Sequence, residues 1–169
     1  MLGGELHGLE EAGALVEHFV RLVMRLVGDL EDLVDELLVH DRPDNGLHAG
    51  APYEYAALAP PGARLLFAAG ACPLNDAGEV VGPGDYELQA RAAIENLLLA
   101  LEATGSGFEQ VLKTTVYVAS SDRAQLVRVW RVVEESFAPA RPPSTLLGVA
   151  VLGYPGQLVE VEAVALASA

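Results

Sequence analysis

Among its 169 residues the chain has one cysteine (Cys72), one lysine (Lys113), one tryptophan and two methionines. A single thiol closes no internal disulfide, so the core has to form without one. Chains of this length bury roughly 70% of the surface their unfolded state exposes, which is enough to do without a structural metal. No cationic, apolar leader with a small-residue cleavage site opens the sequence, so the reducing cytoplasm is the expected compartment. Basic residues are also few: 10 against 24 acidic, a net charge of −14. Nucleic-acid binding runs on counterion release by clustered Lys and Arg, and these are scattered, so nucleic acid and anionic membranes are excluded as partner classes. Glu17, His18, Arg21 and Arg25 interrupt the longest apolar stretch, which excludes a membrane span. The four histidines are His7, His18, His40 and His48, and none has metal-ligand spacing. His40, Asp41, Asp44 and His48 read as solvated linker residues rather than an ion site. No Ser-His-Asp constellation or Gly-x-Ser-x-Gly elbow is available, and Thr104-Gly105-Ser106-Gly107 lacks the ending of a phosphate loop.

The residues that are abundant are patterned. Val16, Phe19, Val23, Leu26, Leu30, Leu33 and Leu37 recur at alternating steps of three and four, which predicts one amphipathic helix over about Leu9 to Val39. Its stripe fits either a coiled-coil seam or a helix lying on its own or a neighbouring subunit. Residues 40–50 have breaker chemistry, so the expected organisation is an N-terminal helical extension and linker over 1–50 and a second domain over 51–169.

In the second domain, Tyr53 to Ala59 and Arg64 to Ala69 read as a hairpin around Pro60-Pro61-Gly62. Asp85 is a good N-cap for a helix with Ile94, Leu97, Leu98 and Leu101 on one face. Val111 to Ala119 alternates as a central strand, with Leu112, Thr114, Val116 and Val118 on one side and Val111, Lys113, Thr115 and Tyr117 on the other. Ser121 or Asp122 caps a second helix carrying Leu126, Val129, Trp130, Val133 and Phe137. Thr145 to Leu152 and Leu158 to Leu166 close the chain as strands joined by a hairpin or tight corner. The predicted order is β-β-α-β-α-β-β, an α+β fold with two helices on one face of a mixed sheet.

Period two places Glu160 and Glu162 on one face of the last strand. Two such carboxylates suit acid-base work, because like charges oppose joint ionisation and a carboxylate so tuned can orient or deprotonate water. Pairing with Lys113 or an arginine, or a place at a subunit contact, is the structural alternative. Cys72 reads as a small packing residue at a strand end.

Taken in order, Ala51-Pro52-Tyr53, Leu66 to Leu74, Ala92 to Gly105, Val111 to Val118 and Leu158 to Ala165 resemble the RidA family, also called YjgF or L-PSP, over about residues 51–167. The resemblance implies a chorismate-mutase-like fold and a homotrimer with three small-molecule clefts between subunits. It also implies hydrolysis of 2-imino or enamine acids such as 2-aminoacrylate, with no metal or organic cofactor. Glu160 matches the glutamate that holds the attacking water, Tyr53 or Tyr55 the cleft tyrosine, and Gly70-Ala71 a backbone segment of the cleft wall. One position departs from the family. Where the family has an arginine that clamps the substrate carboxylate, Ser144 stands, a candidate to hydrogen-bond a neutral or hydroxylated ligand, and the nearest arginine, Arg141, is a candidate replacement that reaches the cleft only if its loop bends back. A charged bidentate pair at such a site is worth roughly 2–5 kcal/mol, so the chain resembles the arginine-less members. These observations leave an imine or enamine hydrolase with Glu160 as its catalytic residue, and as the alternative a non-catalytic metabolite-binding or interaction trimer. In the second reading the N-terminal helix is a docking element for a partner. A ribonuclease or translation inhibitor fits least, given the charge.

Overall fold

The computed structural model describes residues 47–167. The helix expected over Leu9 to Val39 and the residues His40, Asp41 and Asp44 lie outside the described residues. Strand β1 (Leu65–Phe67) is followed by helix α1 (Tyr86–Glu102), strand β2 (Val111–Val118), helix α2 (Arg123–Ser136), strand β3 (Ser144–Gly148) and strand β4 (Val159–Leu166), with a single 3-10 turn before β2. The sheet order is β1-β4-β2-β3. β2 and β3 run parallel through the α2 crossover, and β4 inserts antiparallel to both β1 and β2. This is the expected α+β arrangement with a mixed sheet.

The caps explain where the helices start. Asp85 accepts from the backbone N–H groups of Glu87 and Leu88, and Asp122 from that of Ala124, so each carboxylate satisfies donors that the first turn leaves open. α1 buries Ala90, Ala93, Ile94, Leu97 and Leu101, while α2 buries Val129, Val132 and Val133. Both sets close onto one sheet face, made by Val116 and Val118 of β2 and Val159, Val161, Ala163 and Ala165 of β4.

Three expectations need correction. Tyr53 to Ala59 is not a strand, and β1 pairs only with β4. Three of its seven residues are alanine, a poor strand former. Its first two residues are held elsewhere, with the Glu54 N–H donating to the Arg141 carbonyl at 3.0 Å and the Tyr53 ring edge-on to Trp130 at 5.8 Å. The last two strands form no hairpin, because β2 lies between them and the 149–158 connection passes its C-terminal end. Val111 is buried with Thr114, Val116 and Val118 rather than facing the other way with Lys113. A β-bulge between Val111 and Lys113 inserts Leu112 without a partner on β4 and flips the preceding residue to the core.

Candidate active site

The face of the sheet turned away from the helices carries Lys113, Thr115 and Tyr117 of β2 and Glu160, Glu162 and Val164 of β4. Register fixes this, since Tyr117 lies opposite Glu160 and Thr115 opposite Glu162. The two glutamates alternate with the buried valines as the sequence required, but they do not act as a pair. Glu162 accepts the Tyr117 hydroxyl at 2.9 Å, and that hydrogen bond is the main reason the phenol is pushed above its usual value. Burial lowers the pKa of the Lys113 ammonium, and the charge of Glu162 opposes the shift. Lys113 donates to the Thr114 carbonyl at 2.8 Å and to Thr145 Oγ1 at 2.7 Å.

Glu160 belongs to a separate cluster. Its Oε2 accepts from Gln157 Nε2 at 3.0 Å and from the Cys72 thiol at 3.5 Å. Gln157 is buried, and its Oε1 accepts the Tyr154 backbone N–H at 3.0 Å. That bond fixes the amide so that its nitrogen can only donate toward Glu160, the Val159 carbonyl and the Cys72 sulfur. Oε1 of Glu160 lies over Gly70, where an added Cβ would stand 2.0 Å from it. The glycine is there to let a carboxylate lie against the main chain. Beside it, Ala71 exchanges two backbone hydrogen bonds with Val161, which docks the 70–72 segment onto β4. Burial, and then the charge of Glu160, raise the pKa of the Cys72 thiol and keep it protonated.

Helix α1 holds this cluster from behind with two buried or half-buried amides. Gln89 donates to the carbonyls of Gly82 and Gly156 and accepts the Leu158 N–H at 2.7 Å, so it grips the chain on both sides of Gln157. Asn96 donates to the carbonyls of Cys72 and Leu74. Seven residues apart, these two share one face of the helix. Gln89, Asn96 and Gln157 were not identified from the sequence, although the i, i+7 amide pair on an otherwise apolar helix face is a signal that was available.

The remaining site candidates lie in a second place. Tyr53, Val127, Trp130, Ser144, Thr145 and Leu146 line a groove of about 430 Å³ between α2 and the β3 edge. Tyr53 is half-buried there, while Tyr55 is exposed and donates to the His48 carbonyl at 3.0 Å. Ser144 lies opposite Thr114, a core-facing residue, and the two hydroxyls are 2.6 Å apart. Within one chain, then, the Ser144 hydroxyl and the Glu160 carboxylate sit on opposite faces of the sheet. Arg141 has a left-handed backbone (φ 46°), and its guanidinium donates to the carbonyls of Ala51 and Pro52. The structure thus brings Glu160, Gly70 and Ala71 together and groups Tyr53 with Ser144, while Arg141 is turned onto the main chain. Among the described residues no group of three or more His, Cys, Asp or Glu side chains converges to hold a metal ion.

The Endoribonuclease L-PSP family profile matches residues 44–167. A RutC family protein of Pyrococcus horikoshii is 34% identical over 115 residues, 68% of this chain and 86% of the relative. Protein DfrA of Myxococcus xanthus is 31% identical over 72% of this chain and 90% of its own length. Among solved structures, the Rid-family protein YyfB of Yersinia pestis superposes with a TM-score of 0.67 at 26% identity, covering 72% of this chain and 93% of that one.

Proposed function

The chain belongs to the RidA/YjgF/L-PSP family, and from that premise we propose that it is a cytoplasmic homotrimer whose intersubunit clefts hydrolyse a small imine or enamine, with Glu160 handling the water. The observation that carries this reading is the carboxylate of Glu160, half-buried, laid against Gly70 and aimed by an amide whose own direction is fixed. A base held this way costs no reorganisation when the reaction begins. Water's oxygen bonds to the carbon of the protonated imine while the C=N electron pair returns to nitrogen, leaving a neutral amine, and the water proton passes to Glu160. That proton is then given to nitrogen, the carbon–nitrogen bond breaks, and ammonia leaves with the hydroxyl proton as ammonium, leaving a carbonyl. The trimer is supported by the open sheet face, which exposes Phe67 (74%) and Leu65 on the β1 edge and Leu147 on the β3 edge. Residues 51–169 form the catalytic domain in this reading, and 1–50 an N-terminal extension and linker.

The test generates imines in the cuvette with an amine or amino-acid oxidase and traps them competitively with semicarbazide. The protein is expected to suppress trapping, and Glu160→Gln to reduce that effect by about 100-fold or more, the usual scale for a general base. An undiminished Glu160→Gln variant overturns the mechanism. A second reading, the non-catalytic metabolite-binding trimer, is favoured by the half-buried Ser144, hydrogen-bonded to Thr114 at the position where the family carries its carboxylate clamp. It predicts ligand binding without turnover.

A further inference from the structure

What the Glu160 site accepts follows from its charge, on the premise that the hydrolytic reading of Glu160 is right. Its carboxylate takes hydrogen bonds from two neutral donors, the Gln157 amide and the Cys72 thiol, and among the described residues no cation touches it. A second carboxylate, Glu162, stands two residues along on the same face. Lys113 offsets the charge of Glu162, but among the described residues no cation is placed on Glu160. The Lys113 ammonium is held by the Thr114 carbonyl and Thr145 Oγ1. The Arg141 guanidinium is closed onto the Ala51 and Pro52 carbonyls, and its backbone is fixed at both ends, its N–H donating to Phe137 and its carbonyl accepting from Glu54. Ser144 faces Thr114 and the Pro142 carbonyl on the other side of the sheet. In a symmetric assembly every copy presents the same arrangement.

A 2-imino acid would bring its own carboxylate to this face and find no guanidinium among the described residues to receive it. A protonated imine with no acid group brings one positive charge to an uncompensated negative one. The geometry points to a cationic iminium lacking a carboxylate, the imine of a simple amine rather than of an amino acid, as the ligand of Glu160. The class of reaction that supplies such a species is the two-electron oxidation of a primary amine. Selectivity then comes from charge sign: a cation is attracted by Glu160, and an anion is repelled by it.

The experiment uses the full chain and matched pairs of probes. Benzamidinium and acetamidinium are planar cations that mimic an iminium and resist hydrolysis, and benzoate and acetate are their anionic counterparts. Calorimetric titration is expected to show an amidinium binding at least about tenfold more tightly than its carboxylate, with affinity falling as salt is raised and about tenfold weaker in Glu160→Gln. The salt dependence needs no variant, so the inference stays testable if that substitution unfolds the protein. In parallel, oxidases generate the imines of benzylamine and of phenylglycine, which differ only in the carboxylate, under semicarbazide competition. Preferential consumption of the benzylamine imine supports the inference. Glu160-dependent amidinium binding with neither imine consumed supports the charge preference and overturns hydrolysis. Tighter carboxylate binding, or preference for the phenylglycine imine, overturns the inference while hydrolysis stands. No amidinium binding and no turnover overturns both.

Discussion

Gly70→Ala isolates the contact on which the Glu160 arrangement depends. The backbone at Gly70 is not among those with positive φ, so alanine brings no conformational strain of its own. Its methyl carbon would stand 2.0 Å from Oε1, 2.5 Å from Cδ and 2.8 Å from Cγ of Glu160, and nothing else comes as near. Either the glutamate swings off Gly70, or β4 and the 70–72 segment part. Swinging is the lesser change, and it breaks the 3.0 Å bond from Gln157 and the 3.5 Å contact from Cys72. A hydrogen bond to a charged acceptor contributes about 1.5–3 kcal/mol, and re-exposure of the carboxylate to water returns part of that, so a loss of about 2 kcal/mol is expected. In a Glu160→Ala background the methyl has nothing to strike, and the same substitution should cost less than about 0.5 kcal/mol.

The assay is urea unfolding of the four proteins of this double-mutant cycle at one protein concentration, because oligomerisation makes apparent stability concentration-dependent. A coupling energy of about 1.5 kcal/mol is expected between positions 70 and 160. Equal costs in both backgrounds would show that the alanine strikes the main chain rather than the carboxylate, and no cost in either would show that Glu160 does not rest on Gly70. Either result refutes the account of the site.

The Cys72 thiol gives a readout independent of turnover. Its alkylation rate should titrate above the usual thiol range, with Glu160→Gln lowering the midpoint by removing the adjacent charge and Gln157→Leu raising it by removing the one hydrogen bond that favours the thiolate. The sign also predicts stability: a raised native thiol pKa means the unfolded chain loses its proton first, so this contribution is complete below the ordinary thiol pKa and declines as pH rises through the native value. For Arg141→Ala we expect a loss of about 1–3 kcal/mol and faster proteolysis between residues 47 and 56, because the guanidinium ties the Ala51 and Pro52 carbonyls to the end of α2. Unchanged cleavage there would remove Arg141 from that structural role.

Most of what is local in this fold was legible in the sequence. Asp85 and Asp122 announce the helix starts because capping needs only the residue and the next few N–H groups. The alternation from Val159 to Leu166 announces both the buried face and the face that presents Glu160. What was not legible depends on partners distant in sequence. Nothing within 158–166 says that β4 enters between β1 and β2, and adjacency of the last two runs suggested a hairpin instead. The Leu112 bulge is a mismatch between two strands and has no signature in one of them. Arg141 was read by its distance from Ser144 along the chain, but its left-handed backbone and the carbonyls of Ala51 and Pro52, 90 residues earlier, decide where it goes. Gln157 lies in a turn and looks like any polar loop residue until Gln89 is seen gripping both of its neighbours.

On the proposed reading, that support explains how a site can keep its water-handling group while losing its substrate clamp. Glu160 is held by residues of three segments: Gly70 and Cys72 after β1, Gln157 before β4, and Gln89 and Asn96 on α1 behind them. Cys72, Gln157, Gln89 and Asn96 each also bond a backbone group, so these side chains serve folding whether or not the site turns over. The clamp has no such second duty. An arginine at position 144 would have to leave the core-facing side of β3, whereas Ser144 fits there by bonding Thr114 and the Pro142 carbonyl. Stability therefore holds the carboxylate in place and leaves the clamp position free to change, and the chemistry that survives such a change is that of a substrate recognised by Glu160 alone.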